Sequence, residues 1–247
     1  MKKFLTARWQ DLIMANYEVE PEILADLVPD GTTLDFEGGK CFVSLVAFMF
    51  LDTRVLGFPV PFHINFEEVN LRFYVKRETA NEIKRGVVFV KEIVPRFAIA
   101  FVARTFYGEP YEAWRMSHEK SEKSLRYGWR KDEFQNDIKV EIGENTGVPA
   151  ENSHGEFIIE HYWGYTTRGK RRTDEYKVEH PKWEIFAVEN YEINTDFGRL
   201  YGERFAFLNG RKPYSIFMAK GSTVAVYQGA RLIGRSDSES EIWKPGI

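Results

Sequence analysis

Apolar residues along this chain fall into short runs separated by turn-forming residues, with few helical stripes. The clearest runs cover residues 9–17, 40–51, 66–76 and 86–94 and are rich in Val, Phe, Ile and Leu. Runs of this length and make-up predict β-strands. Within 87–94, alternation puts Val87, Phe89, Lys91 and Ile93 on one face and Val88, Val90, Glu92 and Val94 on the other. Thr79-Ala-Asn81 reads as a hairpin connection. Further strands are predicted over 111–116, 124–130, 138–142, 163–167, 175–180, 183–193, 214–219, 223–228 and 231–233. Gly229 falls where the last hairpin must turn, and the polar stretches 118–123 and 143–152 read as loops.

Helical signals are few. Pro21 opens a short helix through Leu27, and Pro29 closes it. Ile99, Val102, Ala103 and Phe106 recur at helical spacing after Pro95, with Gly108 and Pro110 to stop them, which predicts a helix over 95–107. Its end would aim Glu109, Tyr111 and Glu112 at whatever lies next. Ser153-His-Gly-Glu156 has the capping-box spacing and predicts a third helix over 155–161. Many strands about ten residues apart, with two or three short helices, imply a β-barrel or a strongly curved sheet. Neither a linker nor an internal repeat divides residues 1–247, so one domain is expected.

Composition narrows the function more than it names it. The chain is 43% hydrophobic, enough for a large core, and its 20 Phe, 12 Tyr and 6 Trp can line an apolar cavity as well as fill one. A formal charge of −3 gives no reason to expect nucleic acid, and the basic run 168–172 reads as a hairpin tip. No apolar stretch follows the positive start as in a secretory signal, and none reaches membrane-spanning length, so a soluble cytoplasmic protein is expected. Cys41 is the single cysteine. It rules out an internal disulfide and a CxxC motif and is expected to be a buried, inert thiol.

Motif searches for chemistry return mostly negatives. There is no G-x-S-x-G elbow, no phosphate-binding glycine loop, and no histidine pattern that fixes metal geometry, so neither metal nor cofactor is expected. His63, His161 and His180 could converge in space; His161 and His180 are each preceded by Glu and are read either as hydrogen-bonded near strand ends or as pocket acid–base groups. Lys91, among apolar neighbours, is either a desolvated nucleophile or a lysine snorkelling to water. Glu68, Asn70 and Arg72 share a face, read here as the wet outer face, with a polar stripe lining a cavity as the alternative.

Several segments carry a resemblance to a known family. They include Ala7-Arg-Trp-Gln-Asp11, Leu27-Val-Pro29, Phe50-Leu-Asp-Thr-Arg-Val-Leu-Gly-Phe58, Asn65-Phe-Glu-Glu-Val-Asn-Leu-Arg-Phe-Tyr74, Ile159-Glu-His-Tyr-Trp-Gly-Tyr165 and Val178-Glu-His-Pro-Lys-Trp183. Together they resemble the YqjF-like family of bacterial proteins of unassigned function. Through Leu27-Val-Pro29, Asp52-Thr-Arg-Val-Leu-Gly57 and the 95–112 segment the chain also resembles the acetoacetate decarboxylases. That resemblance implies a mainly β (α+β) fold: a closed, cone-shaped antiparallel β-barrel with a few short helices around a small cavity.

In those decarboxylases a lysine forms a Schiff base with the substrate, helped by a neighbouring lysine. Tyr111 and Glu112 stand in the two places here, and a phenol cannot form an imine. The resemblance puts Tyr111 at the cavity, as a hydrogen-bond donor or general acid or simply as a packed ring. Glu67 or Glu68 would fill an acidic pocket role. Arg104 would grip a carboxylate or else pair with Glu67, Glu68 or Glu109. The expected ligand-binding residues are Arg104, Tyr111, Glu68 and His161, with Tyr111 and His161 as candidate catalytic groups. The expected ligand is a compact organic acid or carbonyl compound. A lyase- or hydratase-type enzyme, a structural or partner-binding barrel, and a homo-oligomer all stay open.

Overall fold

A computed structural model describes residues 2–59, 63–95, 110–168 and 172–232. The predicted helix over 95–107, with Arg104, lies outside the described residues beyond Pro95. Most predicted strands are present, but 214–219 and 223–228 are one strand, and the stretch read as a loop over 143–152 is strand as far as Gly147. Residues 230–232 pair with 173–175 instead of folding back as a hairpin at Gly229. β1 (Lys3–Val19), β2 (Thr33–Leu34), β3 (Cys41–Val55), β4 (Phe58–Pro59), β5 (Phe66–Glu78) and β6 (Ile83–Val94) make up the first half. β7 (Tyr111–Ala113), β8 (Arg115–Lys120), β9 (Ser124–Lys131), β10 (Phe134–Gly147), β11 (Trp163–Thr167), β12 (Thr173–Glu179), β13 (Ile185–Asn194), β14 (Ser215–Tyr227) and β15 (Ala230–Leu232) follow.

Helices are as scarce as expected. α1 (His154–Ile159) begins at the capping box, where the Ser153 hydroxyl accepts from the Glu156 N–H at 3.3 Å. The helix expected from Pro21 to Leu27 is instead two single 3₁₀ turns, Pro21–Ile23 and Ala25–Leu27. A run this short closes too few hydrogen bonds to hold an α-helix. The sequence reading missed α2 (Phe197–Tyr201), which Asp196 caps through the Arg199 N–H at 3.1 Å. The stretch read as a loop over 118–123 is mostly strand: β8 runs to Lys120 before a turn closed by Ser121 and Ser124. Its polar make-up fits because most of β8 is exposed.

One continuous sheet carries the strands in the order β15-β12-β11-β6-β5-β3-β1-β14-β13-β10-β9-β8. β12 also pairs with β14, through Val178 opposite Val226 and Glu179 opposite Ala225. Strands β12, β11, β6, β5, β3, β1 and β14 therefore form a circuit of pairings that returns to its start. The circuit is not uniformly antiparallel as expected: β6 runs parallel to β11, and also to the short β7. The long chain excursions between these elements supply the crossovers that parallel pairing needs.

The central strands are buried on both faces. From β1, β3 and β5, Ile13, Tyr17, Val43, Leu45, Leu71 and Phe73 join one apolar cluster, which Trp129, Ile138, Phe197 and Phe205 complete from β9, β10 and the helical turns. Alternate residues, such as Leu12, Met14, Val46, Phe48 and Phe66, join a second cluster with Phe157 of α1 and Trp183. This two-sided burial is why β3 reads as an unbroken apolar run. Two bulges bend β1 and β3, with Asp11 and Asp52 at φ 58° and 55°, the left-handed conformation that Asp tolerates better than most residues. At Asp11 the bulge is fixed by Lys120 on its carboxylate at 2.8 Å and by the Tyr127 hydroxyl on its carbonyl at 2.9 Å. No helix among the described residues is long and apolar enough to cross a membrane.

Gly221 lets β14 pass β1 closely. Its φ is +78°, and a Cβ there would lie 2.1 Å from the Trp9 carbonyl oxygen. Gly147 has nearly the same φ, +80°, with nothing within 4 Å of such a Cβ. Gly147→Ala should therefore cost about 1 kcal/mol, from backbone strain alone. Gly221→Ala should cost roughly 3 kcal/mol or more, because backbone cannot step aside as a side chain would. Urea unfolding of the two variants measures the difference; equal losses would refute the close approach.

Candidate functional site

Three neighbouring strands build a polar patch inside the circuit. On β5, alternation sends Phe66, Glu68, Asn70 and Arg72 to one face, and all four line a cavity of about 270 Å³. The wet outer face expected for this stripe is thus corrected. The outer layer of β8–β10 covers the other side of the sheet, leaving the polar stripe on the inside. Glu67, on that other side, bonds His118 at 2.7 Å. Of the two acidic candidates, Glu68 is the cavity group.

The neighbouring strand β6 contributes through an irregularity that simple alternation cannot foresee. Leu71 lies opposite Lys91, but Arg72 lies opposite Phe89, so one residue of β6 is extra at Val90. The bulge shifts the inward set from Val87 and Phe89 to Glu92. Lys91 is turned the other way and pairs with Glu112 at 2.9 Å. The nucleophile reading of Lys91 therefore finds no support: its ammonium is tied to a carboxylate. Glu112 also accepts from the Trp114 indole at 2.9 Å.

β7 then pairs parallel to β6 with Tyr111 opposite Glu92, which brings the phenol beside the two acids. Tyr111 lines the cavity, and its hydroxyl donates to Glu68 Oε2 at 3.1 Å. Asn70 Nδ2 donates to the other oxygen, Oε1, at 3.0 Å. Burial pushes the Glu68 carboxyl up to about 7, and the bonds from Asn70 and Tyr111 and the charge of Arg72 only partly oppose it. Burial, and then the charges of Glu68 and Glu92, raise the Tyr111 phenol well above its ordinary value. The pair thus favours a neutral phenol donor beside a carboxyl that changes charge near neutrality.

His161 closes the patch from the chain just after α1. It is buried at 7% exposure and packs its ring against Tyr74 and Phe157 at 4.7 and 5.2 Å. Its Nε2 meets Asp35 Oδ2 at 3.2 Å, and Arg85 holds the same carboxylate at 2.6 Å. Burial lowers the imidazole to about 4 despite the aspartate, so the ring is neutral at physiological pH. In the tautomer that donates Nε2–H to Asp35, Nδ1 carries the lone pair. That nitrogen has no hydrogen-bond partner in the protein, and neither do Arg72 Nε, Asn70 Oδ1, Thr53 Oγ1 and Trp9 Nε1. All five belong to residues that line the cavity. Leaving such atoms unsatisfied costs roughly 1–3 kcal/mol each.

The rest of the wall is aromatic. Trp9 meets Phe48, Phe50 and Trp183 edge-on at 5.4, 5.6 and 6.3 Å, and Phe50 stacks on Phe66 at 4.7 Å. His180 stacks on Trp183 at 4.0 Å, and burial lowers its ring to about 4. His63, His161 and His180 do line one cavity. Among the described residues, however, no group of three His, Cys, Asp or Glu side chains is placed to hold a metal ion. Sequence reasoning brought Glu68, Tyr111 and His161 together; Glu92 was missed because of the bulge, and Asp35 because nothing marks a short polar segment as buried.

The comparisons with known proteins agree with this architecture. The model of the DUF2071 family, described as an uncharacterized conserved protein, matches residues 6–223. The uncharacterized protein YqjF of Bacillus subtilis (strain 168) is 32% identical over 120 residues, 48% of this chain, and the chain spans about half (48%) of that relative's length. Among solved structures, acetoacetate decarboxylase from Legionella pneumophila superposes with a TM-score of 0.67 at 10% identity, over 95% of this chain and 89% of the other. The enduracididine biosynthesis enzyme MppR complexed with pyruvate gives 0.65 at 10% identity, over 96% and 90%. An acetoacetate decarboxylase-like enzyme from Sphingomonas wittichii RW1 gives 0.63 at 12% identity, over 94% of both chains. At such identities the likeness is one of fold: mainly β and acetoacetate decarboxylase-like. With the family model matching most of its length, the chain belongs to the DUF2071 family.

Proposed function

We propose that the seven-strand circuit is a closed, cone-shaped barrel whose cavity binds a compact organic acid or carbonyl compound without forming an imine. The observation that carries this reading is the Tyr111 hydroxyl bonded to Glu68 at 3.1 Å inside an aromatic-walled cavity of about 270 Å³. That volume suits a ligand of a few heavy atoms better than an interior filled by side chains. Arg72, with Nε unpartnered and only Nη2 on the Ile158 carbonyl at 3.3 Å, takes the carboxylate-gripping role first read for Arg104. No lysine is among the described cavity-lining residues. MppR, which shares the fold, has been captured with pyruvate, and this makes short keto acids the first ligands to try. A single buried cysteine is in keeping with a reducing compartment, so this reading places the protein in the cytoplasm.

A second reading is a lyase- or hydratase-type enzyme on the same ligand class. What favours it is Glu68, poised near 7, in contact with Tyr111: a carboxyl that changes charge at physiological pH can pass a proton to and from a bound substrate, while the neutral phenol donates a hydrogen bond.

Titration calorimetry with pyruvate and acetoacetate tests both readings. Saturable binding is expected, weakened about five- to tenfold by Tyr111→Phe, the loss of roughly one hydrogen bond. Arg72→Lys should weaken it further, because the planar fork is lost. Borohydride added with acetoacetate should leave the intact mass unchanged, and a lysine adduct would overturn the imine-free reading. Turnover of either acid that Tyr111→Phe abolishes at unchanged affinity would move the case to the enzyme.

Glu68 also makes stability depend on pH. Its folded value, about 7, lies above the ordinary 4.5, so the folded state binds more protons between those limits. Stability is therefore fully retained below about 4.5 and is lost as pH rises through about 7, by up to roughly 3 kcal/mol. Glu68→Gln should flatten that part of the curve. Thermal melts of wild type and variant from pH 5 to 8 check it, and parallel curves would reject the raised carboxyl.

A further inference from the structure

Outside the cavity, three chain-distant side chains meet at the start of β14. The Ser215 Oγ lies 2.7 Å from Nε2 of His154, the first residue of α1. The other ring nitrogen, Nδ1, bonds the Glu37 carboxylate on the turn before β3. A hydroxyl on one imidazole nitrogen and a carboxylate on the other is the arrangement that activates a serine nucleophile. No short motif announces it, because Glu37, His154 and Ser215 come from three separate elements.

The hydrogen-bond directions fix who donates to whom. Asn16 Nδ2 donates to Ser215 Oγ at 2.9 Å, so the serine already accepts one bond. Ser44 Oγ donates to Asn16 Oδ1 at 2.6 Å, and the Tyr74 hydroxyl, 2.6 Å from Ser44 Oγ, must therefore donate to it. Asn16, Ser44 and Tyr74 are at most 1% exposed, so this chain is held rigidly. In the neutral imidazole, a proton on Nδ1 facing Glu37 leaves Nε2 as acceptor for the Ser215 hydroxyl. The reactive end is reachable: Ser215 is half-buried, the His154 side chain is 21% exposed and Tyr214 is 53% exposed. Tyr214 and Phe42 flank the His154 ring at 5.2 and 4.9 Å, an aromatic seat for a short acyl group.

We propose that Ser215, His154 and Glu37 form a second reactive site, an acyl-accepting serine that hydrolyses short acyl esters. Ser215 Oγ attacks the acyl carbon while His154 Nε2 takes its proton. The ester C–O bond then breaks, and the same proton passes to the departing alcohol. Water, deprotonated by His154, attacks the acyl-serine; the acid leaves and the proton returns to Ser215. The net change is ester plus water to acid plus alcohol. Asn16 is a positioning residue that orients the hydroxyl.

The test is covalent capture on the full chain. A fluorophosphonate probe, followed by peptide mass mapping, should place one adduct on Ser215, with fluoride displaced. Labelling should vanish in Ser215→Ala and slow at least tenfold in His154→Gln. Glu37→Gln, which keeps the shape and removes the charge, should also slow it about tenfold, with circular dichroism confirming that each variant is folded. p-Nitrophenyl acetate should acetylate the same residue. A network that merely braces the strands would leave Ser215 as inert as any surface serine. No adduct, an adduct elsewhere, or a rate indifferent to His154→Gln would therefore overturn the proposal. Because none of these residues lines the cavity, the outcome is independent of the reading proposed for it.

Discussion

Everything in this molecule depends on strands β1, β3 and β5 being buried on both sides. A strand has two faces of opposite side chains, and a single layer covers only one of them. Here the sheet runs on from β14 through β13, β10, β9 and β8, and these strands together with α2 cover the outer face. The inner face closes over the second cluster. With the outside largely sealed by apolar packing, several buried polar groups on these strands go inward, onto the cavity wall or into bonded networks. Glu68, Asn70 and Arg72 do the first, and Ser44 and Asn16 the second.

The same constraint explains how little acid it takes to set the chemistry of the site. One bulge at Val90 turns Glu92 inward, and one parallel register sets Tyr111 beside it. Without the bulge, Glu92 would stay with Val88 on the outer apolar face, where an unpaired carboxylate would cost several kcal/mol. Lys91 would then face in. The irregularity exchanges a lysine for a glutamate at the cavity wall and sends the lysine to Glu112. An acidic wall, free of lysine among the described residues, therefore depends on backbone irregularity as much as on composition.

Much of this was legible in the residues themselves. Strand positions follow from apolar runs, α1 from its capping box, and the inward placement of Tyr111 agrees with the family resemblance. The misses share a physical cause: each concerns a property fixed by partners distant in sequence. Which face of β5 is wet depends on β8 to β10, and whether Lys91 points in depends on a bulge. Ser215 was unremarkable by motif, since its partners lie 61 residues away at His154 and 199 away at Asn16.

Tyr74 joins the two polar regions. Its hydroxyl ends the chain that starts at Ser215, while its ring packs on His161 at 4.7 Å and lies 5.7 Å from the Arg72 guanidinium. A residue fully buried in this position serves both sides at once, its polar end on Ser44 and its ring packed behind His161 and Arg72, which line the cavity. Arg72 gains from that contact as well, because a ring face favours a cation that has given up part of its water. The polar content of the interior is thus one connected arrangement from Glu37 to Arg72. Its Glu37 end is bonded to His154, while its Arg72 end carries polar atoms with no partner in the protein, an asymmetry in keeping with the ligand site proposed for the cavity.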